Sequence, residues 1–383
     1  MMTLAAGLAS AAFLLLVWSY LLYPAVIARL ARRARQEAAG GGHPSSLEII
    51  LSAADEEDVI SDRVENLLDQ ESSVPLSVSI GCDGCRDRTL ALASAFAGAA
   101  GGEGSAARVR VVEFPERRGK AAVLNDLLRG SEADVVVFTD ANTRFEPGAV
   151  EALALAFGDP SVGAACGRLI LEPGASGGTP ESVFWDRETR VKMAEGRLGV
   201  CLGANGAIYA ARRAWIEPLP PATTSMDDFL IPARIARQGK RVVFIEEAVA
   251  HEEAGRDVAA EISRRFRIGI GAGCVLRQET WLFNLRRHGL LSFAFLSRKV
   301  ARWIAPLVLL GAAVAALGDA RLRSAGAILL AAALLLPLSA AARPRLPGLP
   351  GKLYYFWVIN VALAAGVVAG LAGYRRPAWR PIR

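Results

Sequence analysis

The chain has 383 residues, a formal net charge of +6 and a mean hydropathy of +0.31, with 52% hydrophobic residues. Such hydropathy excludes a uniformly water-soluble enzyme, and the apolar excess lies at the two ends. The positive charge flanks those ends, at Arg29, Arg32, Arg33 and Arg35 and again at Arg298, Lys299 and Arg302; that placement orients membrane proteins and draws anionic lipid, and no basic stripe interleaved with aromatics speaks for nucleic acid.

Leu4 to Leu22 is apolar and long enough to span a bilayer at about 1.5 Å per residue. The basic cluster follows this run rather than preceding it, as in an uncleaved anchor, here residues 1–28, with the N-terminus outside and the next domain in the cytoplasm. Ala38–Pro44 reads as a linker.

From residue 47 to about 250, strand-like and helix-like stretches alternate. Leu47–Ala53, Leu76–Gly81, Arg108–Glu113 and Val135–Thr139 are predicted strands; Val59–Gln70, Thr89–Ala99, Lys120–Gly130 and Pro147–Phe157 are predicted helices. This order predicts an α/β domain with a mostly parallel sheet covered on both faces. Gly98–Gly104 and Gly174–Gly178 read as loops.

The strands end in polar residues: Asp55-Glu56-Glu57 after the first, Asp83-Gly84 and Asp87 after the second, Asp140 and Asn142 after the fourth. Strand C-termini share one edge of a parallel sheet, so these groups converge there. Carboxylates gathered without compensation repel and raise one another's pKa. A divalent cation or a basic group therefore belongs among them, and Mg2+ or Mn2+ suits oxygen ligands that also bridge a diphosphate. Plainer roles exist at single positions: Asp83-Gly84 as a turn, Asp87 as a helix cap. Cys82 and Cys85 have CxxC spacing, but no second pair accompanies them, and five cysteines make no disulfide framework.

Lys120 follows Arg117-Arg118-Gly119 and opens a helix, either as a phosphate-binding group or as a solvated first-turn lysine. The segment is no Walker A loop, since Phe114 and Ala121 occupy its glycine and Ser/Thr positions. Asp227 and Asp228 precede the apolar helical stretch Phe229–Ala236; one can cap that helix while the other faces the site as a general base. Arg264 and Arg267 share a helix face at i, i+3 spacing, for lipid headgroups or for a shared anion.

Trp281–Lys299 mixes Trp, Phe and Leu with arginines, as in a helix lying in the membrane interface, placed at 281–303. Three apolar runs follow within 304–374: Ile304–Gly318, Ala325–Ala342 and Leu353–Gly373. Three spans would leave outside a tail that carries Arg375, Arg376, Arg380 and Arg383, so either one of these runs does not span or the tail breaks the charge rule.

Taken in order, Ser52-Ala-Ala-Asp-Glu-Glu57, Asp83-Gly84, Arg118-Gly-Lys120 with Asn125, Phe138-Thr-Asp-Ala-Asn-Thr143, Gly203-Ala-Asn-Gly206, Met226-Asp-Asp228 and Arg264-Arg-Phe-Arg267 resemble the family 2 membrane glycosyltransferases, which include the cellulose, hyaluronan and poly-N-acetylglucosamine synthases. The resemblance covers about residues 45–280 and implies a GT-A nucleotide-sugar-binding domain that inverts at the anomeric carbon. It implies that Asp55, Glu57 and Asp83 hold the uridine of a UDP-sugar and that Asp140 lies near the metal and diphosphate. Asp228 matches the catalytic base, Asn205 and Gly206 lie near the acceptor, and Arg264 and Arg267 hold the diphosphate. The acceptor is a growing polysaccharide or a lipid-linked sugar at the membrane. Two departures stand out: Asn142 replaces the second aspartate of the DxD motif, and Ile268 replaces the tryptophan of the processive members. The latter favours addition of a single sugar to a lipid, and with so few spans a polymer channel requires a partner membrane subunit. A nucleotide-sugar-binding regulatory subunit is the non-catalytic alternative.

Overall fold

The computed structural model describes residues 4–34, 42–98, 108–172, 180–220, 226–253, 258–339 and 348–374. The chain divides into two compact units: Met1–Ile27 with Gly255–Arg375, and Ala28–Ala254 with Arg376–Arg383. The expected linker up to residue 41, the loops at 99–104 and 174–178 and the basic tail from Arg375 lie outside the described residues.

The second unit is organised around a mixed sheet. Its strands are β1 (Leu47–Ala53), β2 (Leu76–Asp83), β3 (Arg108–Phe114), β4 (Val135–Thr139), β5 (Arg144–Phe145), β6 (Val162–Glu172), β7 (Tyr209–Arg212) and β8 (Arg241–Glu253). Among the described residues the order is β3-β2-β1-β4-β7-β6-β8-β5. β3, β2, β1 and β4 pair in parallel, β7 lies antiparallel to both β4 and β6, and β8 is parallel to β6. All strands except β5 and β7 therefore run one way, which agrees with the predicted mostly parallel sheet.

Burial explains the composition of the central strands. Every residue of β4 is buried, as is all of β1 except Ser52, and a strand covered on both faces reads as a continuous apolar run. The exception within β1 is Glu48, which is buried yet satisfied: its carboxylate accepts from Ser79 Oγ at 2.5 Å and lies 3.4 Å from Arg110 Nη2. The helices predicted between strands appear as Ile60–Leu68, Thr89–Ser94, Lys120–Arg129 and Ala149–Ala156. Ile60, Val64 and Leu67 pack with Ile49, Val78 and Val137 in the core.

The reversal of β7 has a positional consequence. In a strand running with the others, the loop that follows it reaches the ligand edge. In β7 the loop that precedes it, Leu202–Gly206, does so instead.

The other unit is helical. Leu4–Arg33, Leu285–Leu317 and Tyr354–Leu371 are long and apolar enough to cross a membrane. The expected span at 325–342 corresponds to the helix Arg323–Ser339, with residues 340–342 outside the described residues. The helix Leu285–Leu317 is continuous across 303/304 and departs from helical backbone at Gly289 (φ 44°, ψ −115°). Trp18 and Tyr23 meet Phe293 with ring centroids 6.2 and 5.9 Å apart, and Arg302 Nε donates to Ser19 Oγ at 3.0 Å.

The helices Val258–Gln278 and Gly348–Leu371 meet through glycines on both sides. A Cβ on Gly269 would stand 2.3 Å from Leu363 O, and one on Gly273 2.4 Å from Val367 O. Reciprocally, a Cβ on Gly366 would stand 2.1 Å from Phe266 O, and one on Gly370 2.2 Å from Ile270 O. Two small-xxx-small pairs interlock, which is how membrane helices bring their backbones into contact.

Candidate active site

Two groups of polar residues stand at the carboxyl edge of β1, β2 and β4, joined by one loop. The first binds the loops after β1 and β2 together. Asp55 adopts a left-handed backbone (φ 58°), uncommon outside glycine. Its carboxylate pairs with Arg117 Nη2 at 2.7 Å and accepts from Arg86 N at 2.8 Å. Glu57 accepts from Arg88 N at 3.1 Å and pairs with Arg88 Nε at 3.2 Å. Asp87 accepts from Glu57 N and Thr89 N; burial opposes its charge, but these hydrogen bonds outweigh it and lower its pKa. Cys85 lies beside Cys82, whose hydrogen bond lowers the Cys85 thiol pKa to about 7.

Asp83 is the hinge between the groups. It is buried, and its two oxygens accept from Arg118 N at 2.6 Å and Gly119 N at 2.8 Å. Gly84 makes the approach possible, since a Cβ there would stand 2.5 Å from Arg117 N. Asp83 thus fixes the start of the helix Lys120–Arg129.

Lys120, the next residue along, belongs to the second group. Its Nζ lies 2.9 Å from Asp140 Oδ1 and 3.2 Å from Asp227 Oδ2. Burial disfavours the ammonium, but Asp140, Asp227 and Asp228 outweigh that and hold its pKa above the ordinary lysine range. Asp227 is buried and also accepts from Tyr209 OH at 3.0 Å; burial and the acids push the tyrosine pKa well up. Tyr209 stacks on Phe138, centroids 4.6 Å apart. Asp227 and Asp228 open the helix Asp227–Arg237, where its N-terminal dipole favours negative charge.

Gly206 joins Asp140 to Asp228. A methyl placed on it would stand 3.4 Å from Asp140 Oδ2 and 3.9 Å from Asp228 Oδ2. Acids from the end of β4 and from a helix far along the chain thus face one another across the loop before β7. Behind them Arg63, buried, donates to Thr139 Oγ1 at 2.6 Å and lies over the Phe145 ring at 4.3 Å. Burial lowers its pKa to about 9, against the pull of Asp140.

A family model described as "Glycosyltransferase like family 2" matches residues 44–271. The chain belongs to glycosyltransferase family 2. Among solved structures, this glycosyltransferase is similar to a mannosyltransferase from Pyrobaculum calidifontis, in complex with GDP-Man and Mn2+, at 21% identity and TM-score 0.64, over 95% of this chain and 99% of that one. S. aureus TarS in complex with UDP-GlcNAc aligns at 14% identity and TM-score 0.41, over 86% of this chain and 92% of that one. No curated protein matches. The fold is GT-A-like, as expected from the sequence.

Within this family 2 glycosyltransferase, the expected site residues fall into distinct settings. Asp140, Lys120, Asp227, Asp228 and Gly206 come together; the basic group expected among the acids is Lys120. Asp55, Glu57 and Asp83 share the neighbouring loops, with their carboxylates engaged by Arg117, Arg88 and backbone amides. Asn142 is exposed, and its amide donates to Glu252 Oε1 at 2.8 Å. Asn205 is buried, its amide donating to Gly167 O at 2.7 Å and accepting from Lys192 Nζ; its side chain turns into the domain. Arg264 and Arg267 stand in the helical unit on Val258–Gln278, where Glu261 lies 3.6 Å from Arg264 Nη1 and 2.5 Å from Arg265 Nε. Sequence reasoning missed Arg63 and Tyr209. Arg63 did carry a signal: it sits on the apolar stripe Ile60, Val64, Leu67, where an arginine without a purpose is out of place.

Proposed function

We propose that this glycosyltransferase moves a sugar, with inversion, from a nucleoside-diphosphate sugar to a polysaccharide or lipid-linked acceptor at the cytoplasmic face of a membrane. The observation that carries the reading is the meeting of Asp140 and Asp228 across Gly206, with Lys120 held between Asp140 and Asp227. A transfer site needs positive charge where a diphosphate leaves and a base where a hydroxyl attacks, and this arrangement supplies both within one edge of the sheet.

Asp228 takes the proton of the acceptor hydroxyl as that oxygen attacks the anomeric carbon from the face opposite the diphosphate. A positioned base contributes about 10²–10⁴-fold. Asp227, held by Tyr209 and Lys120, acts as the fixed partner that sets the start of the helix. Lys120 stabilises charge growing on the leaving diphosphate, an electrostatic role. Arg264 and Arg267 are assigned to anion binding, and Asp55, Glu57 and Asp83 to the walls of the nucleotide pocket. Asn205 and Gly206 line the acceptor side through their backbone.

Among the described residues no cluster of three or more His, Cys, Asp or Glu side chains is placed to hold a metal. That fits Mg2+ or Mn2+ only in the manner usual for nucleotide enzymes, with one or two protein oxygens and the rest from substrate phosphate. Asp140, whose side chain is 37% exposed, offers such an oxygen, and Asn142 a neutral second one. When bound, the cation supplies Lewis-acid charge at the diphosphate.

Ile268, at the place of the tryptophan of processive members, favours a second reading, addition of one sugar to a lipid. One experiment tests both. Purified protein in lipid is incubated with UDP- and GDP-sugars, with and without EDTA, and released nucleoside diphosphate and product size are measured. Cation-dependent release with a long product supports polymer synthesis; release with a single-sugar product supports the second reading; no release from any donor refutes both.

A further inference from the structure

The helix Pro180–Arg197 carries two charged residues that face inward. Lys192 and Glu195 are one turn apart, 5% and 0% exposed, so they share a helix face. Neither belongs to the group around Asp140. Both reach the loop before β7: Lys192 Nζ donates to Ala204 O at 3.1 Å and to Asn205 Oδ1, and Glu195 Oε2 accepts from Leu202 N at 3.0 Å. Asn205 Nδ2 anchors the same loop to Gly167 O. On its other side the loop meets the site: Ala204 N donates to Asp228 O at 2.8 Å, and Gly206 lies against Asp140 and Asp228.

Burying an ammonium and a carboxylate costs several kcal/mol each before their partners offset it. Apolar residues of similar volume would serve the helix as well, so the polar pair is explained by what it holds. It holds three residues of the loop, Leu202, Ala204 and Asn205, from behind, while on the front Ala204 N donates to Asp228 O and Gly206 lies beside Asp140 and Asp228. We propose that Lys192 and Glu195 are positioning residues, which set the Leu202–Gly206 loop as the floor of the acceptor subsite and so fix where Asp228 stands relative to the attacking hydroxyl. The proposal rests on the assignment of Asp228 as base.

The test compares full-length wild type, Lys192→Met and the double variant Lys192→Met/Asn205→Leu in lipid. Donor binding, hydrolysis of the donor by water, transfer with its acceptor KM and kcat, and thermal melting are measured. Water needs no subsite, so the proposal expects Lys192→Met to keep donor binding and hydrolysis while transfer falls by up to about 10²-fold, the cost of misplacing reacting groups by an ångström. Acceptor KM rises and donor KM does not. The double variant takes these donors from Ala204 O and Gly167 O, and it stays deficient in transfer. Wild-type transfer in Lys192→Met, an equal loss of hydrolysis and transfer, or failure of both variants to fold overturns the proposal. Absence of transfer in the wild type would instead refute the assigned function, so the two failures are distinct.

Discussion

Replacing Gly366 by alanine tests the interlocked helices most directly. The added Cβ would stand 2.1 Å from Phe266 O, a backbone atom that no rotamer change can move. Relief to an ordinary contact of about 3.4 Å requires the two helices to part by more than an ångström, which breaks the reciprocal fits at Gly269, Gly273 and Gly370 as well. Overpacking costs about 1–3 kcal/mol, and contact with backbone places this case at the upper end. Alanine regains about 1 kcal/mol of helix preference over glycine, leaving a net loss of about 2 kcal/mol. For a protein of 383 residues that lowers the melting temperature by about 2–3 °C. Gly311 supplies the control: it lies in the helix Ala301–Leu317 with nothing within 4 Å of an added Cβ. Gly311→Ala is expected to raise the melting temperature by about 1 °C through helix preference alone. Thermal unfolding of both variants in detergent decides the matter; a Gly366→Ala protein that melts at or above the wild type would refute the packing argument.

Asp228→Asn is expected to keep the fold and nucleotide binding and to lose about 10²–10⁴-fold in transfer, read from product formation and nucleotide titration. Lys120→Met leaves Asp140 and Asp227 facing each other without their counter-charge. Because the folded state holds the Lys120 pKa above its ordinary value, its stabilising effect is complete below the ordinary lysine value and is lost only as pH rises from there through the raised folded value; melting curves should therefore show the deficit of Lys120→Met at neutral pH and its closing in strong alkali. Asn142→Asp sets a second carboxylate against Glu252, where the amide now donates at 2.8 Å. It should lower the melting temperature in EDTA and make that temperature rise on adding Mn2+, an effect weaker in the wild type.

Much of the nucleotide-binding fold could be read directly from the chain. Val135–Thr139 is five strand-forming residues closed by Asp140, and β4 has those bounds. The helix predicted to open at Lys120 does so. The direction of β7 could not be read: four residues carry no mark of orientation, and alternation of strands and helices implies parallel neighbours. The partners of Asp83 were hidden for a related reason. A turn aspartate looks the same whether it faces a ligand or two backbone amides, and here the amides belong to the loop after β3. Lys192 and Glu195 escaped notice because charges on a helix usually face water; only the packing of the helix against the sheet reveals that these do not. The convergence of Asp140 with Asp228 followed from the family resemblance and sheet geometry together, whereas Tyr209 and Arg63 needed coordinates.

Lys120, touching Asp140 and Asp227 at once, gives the resting protein a counter-ion on a covalent tether. On the proposed function, a bare divalent ion approaching Asp140 has to share that carboxylate with the ammonium. The same ion arriving chelated by a pyrophosphate brings negative charge that the ammonium welcomes. The proposed function therefore expects cation and nucleotide to bind more tightly together than either does alone.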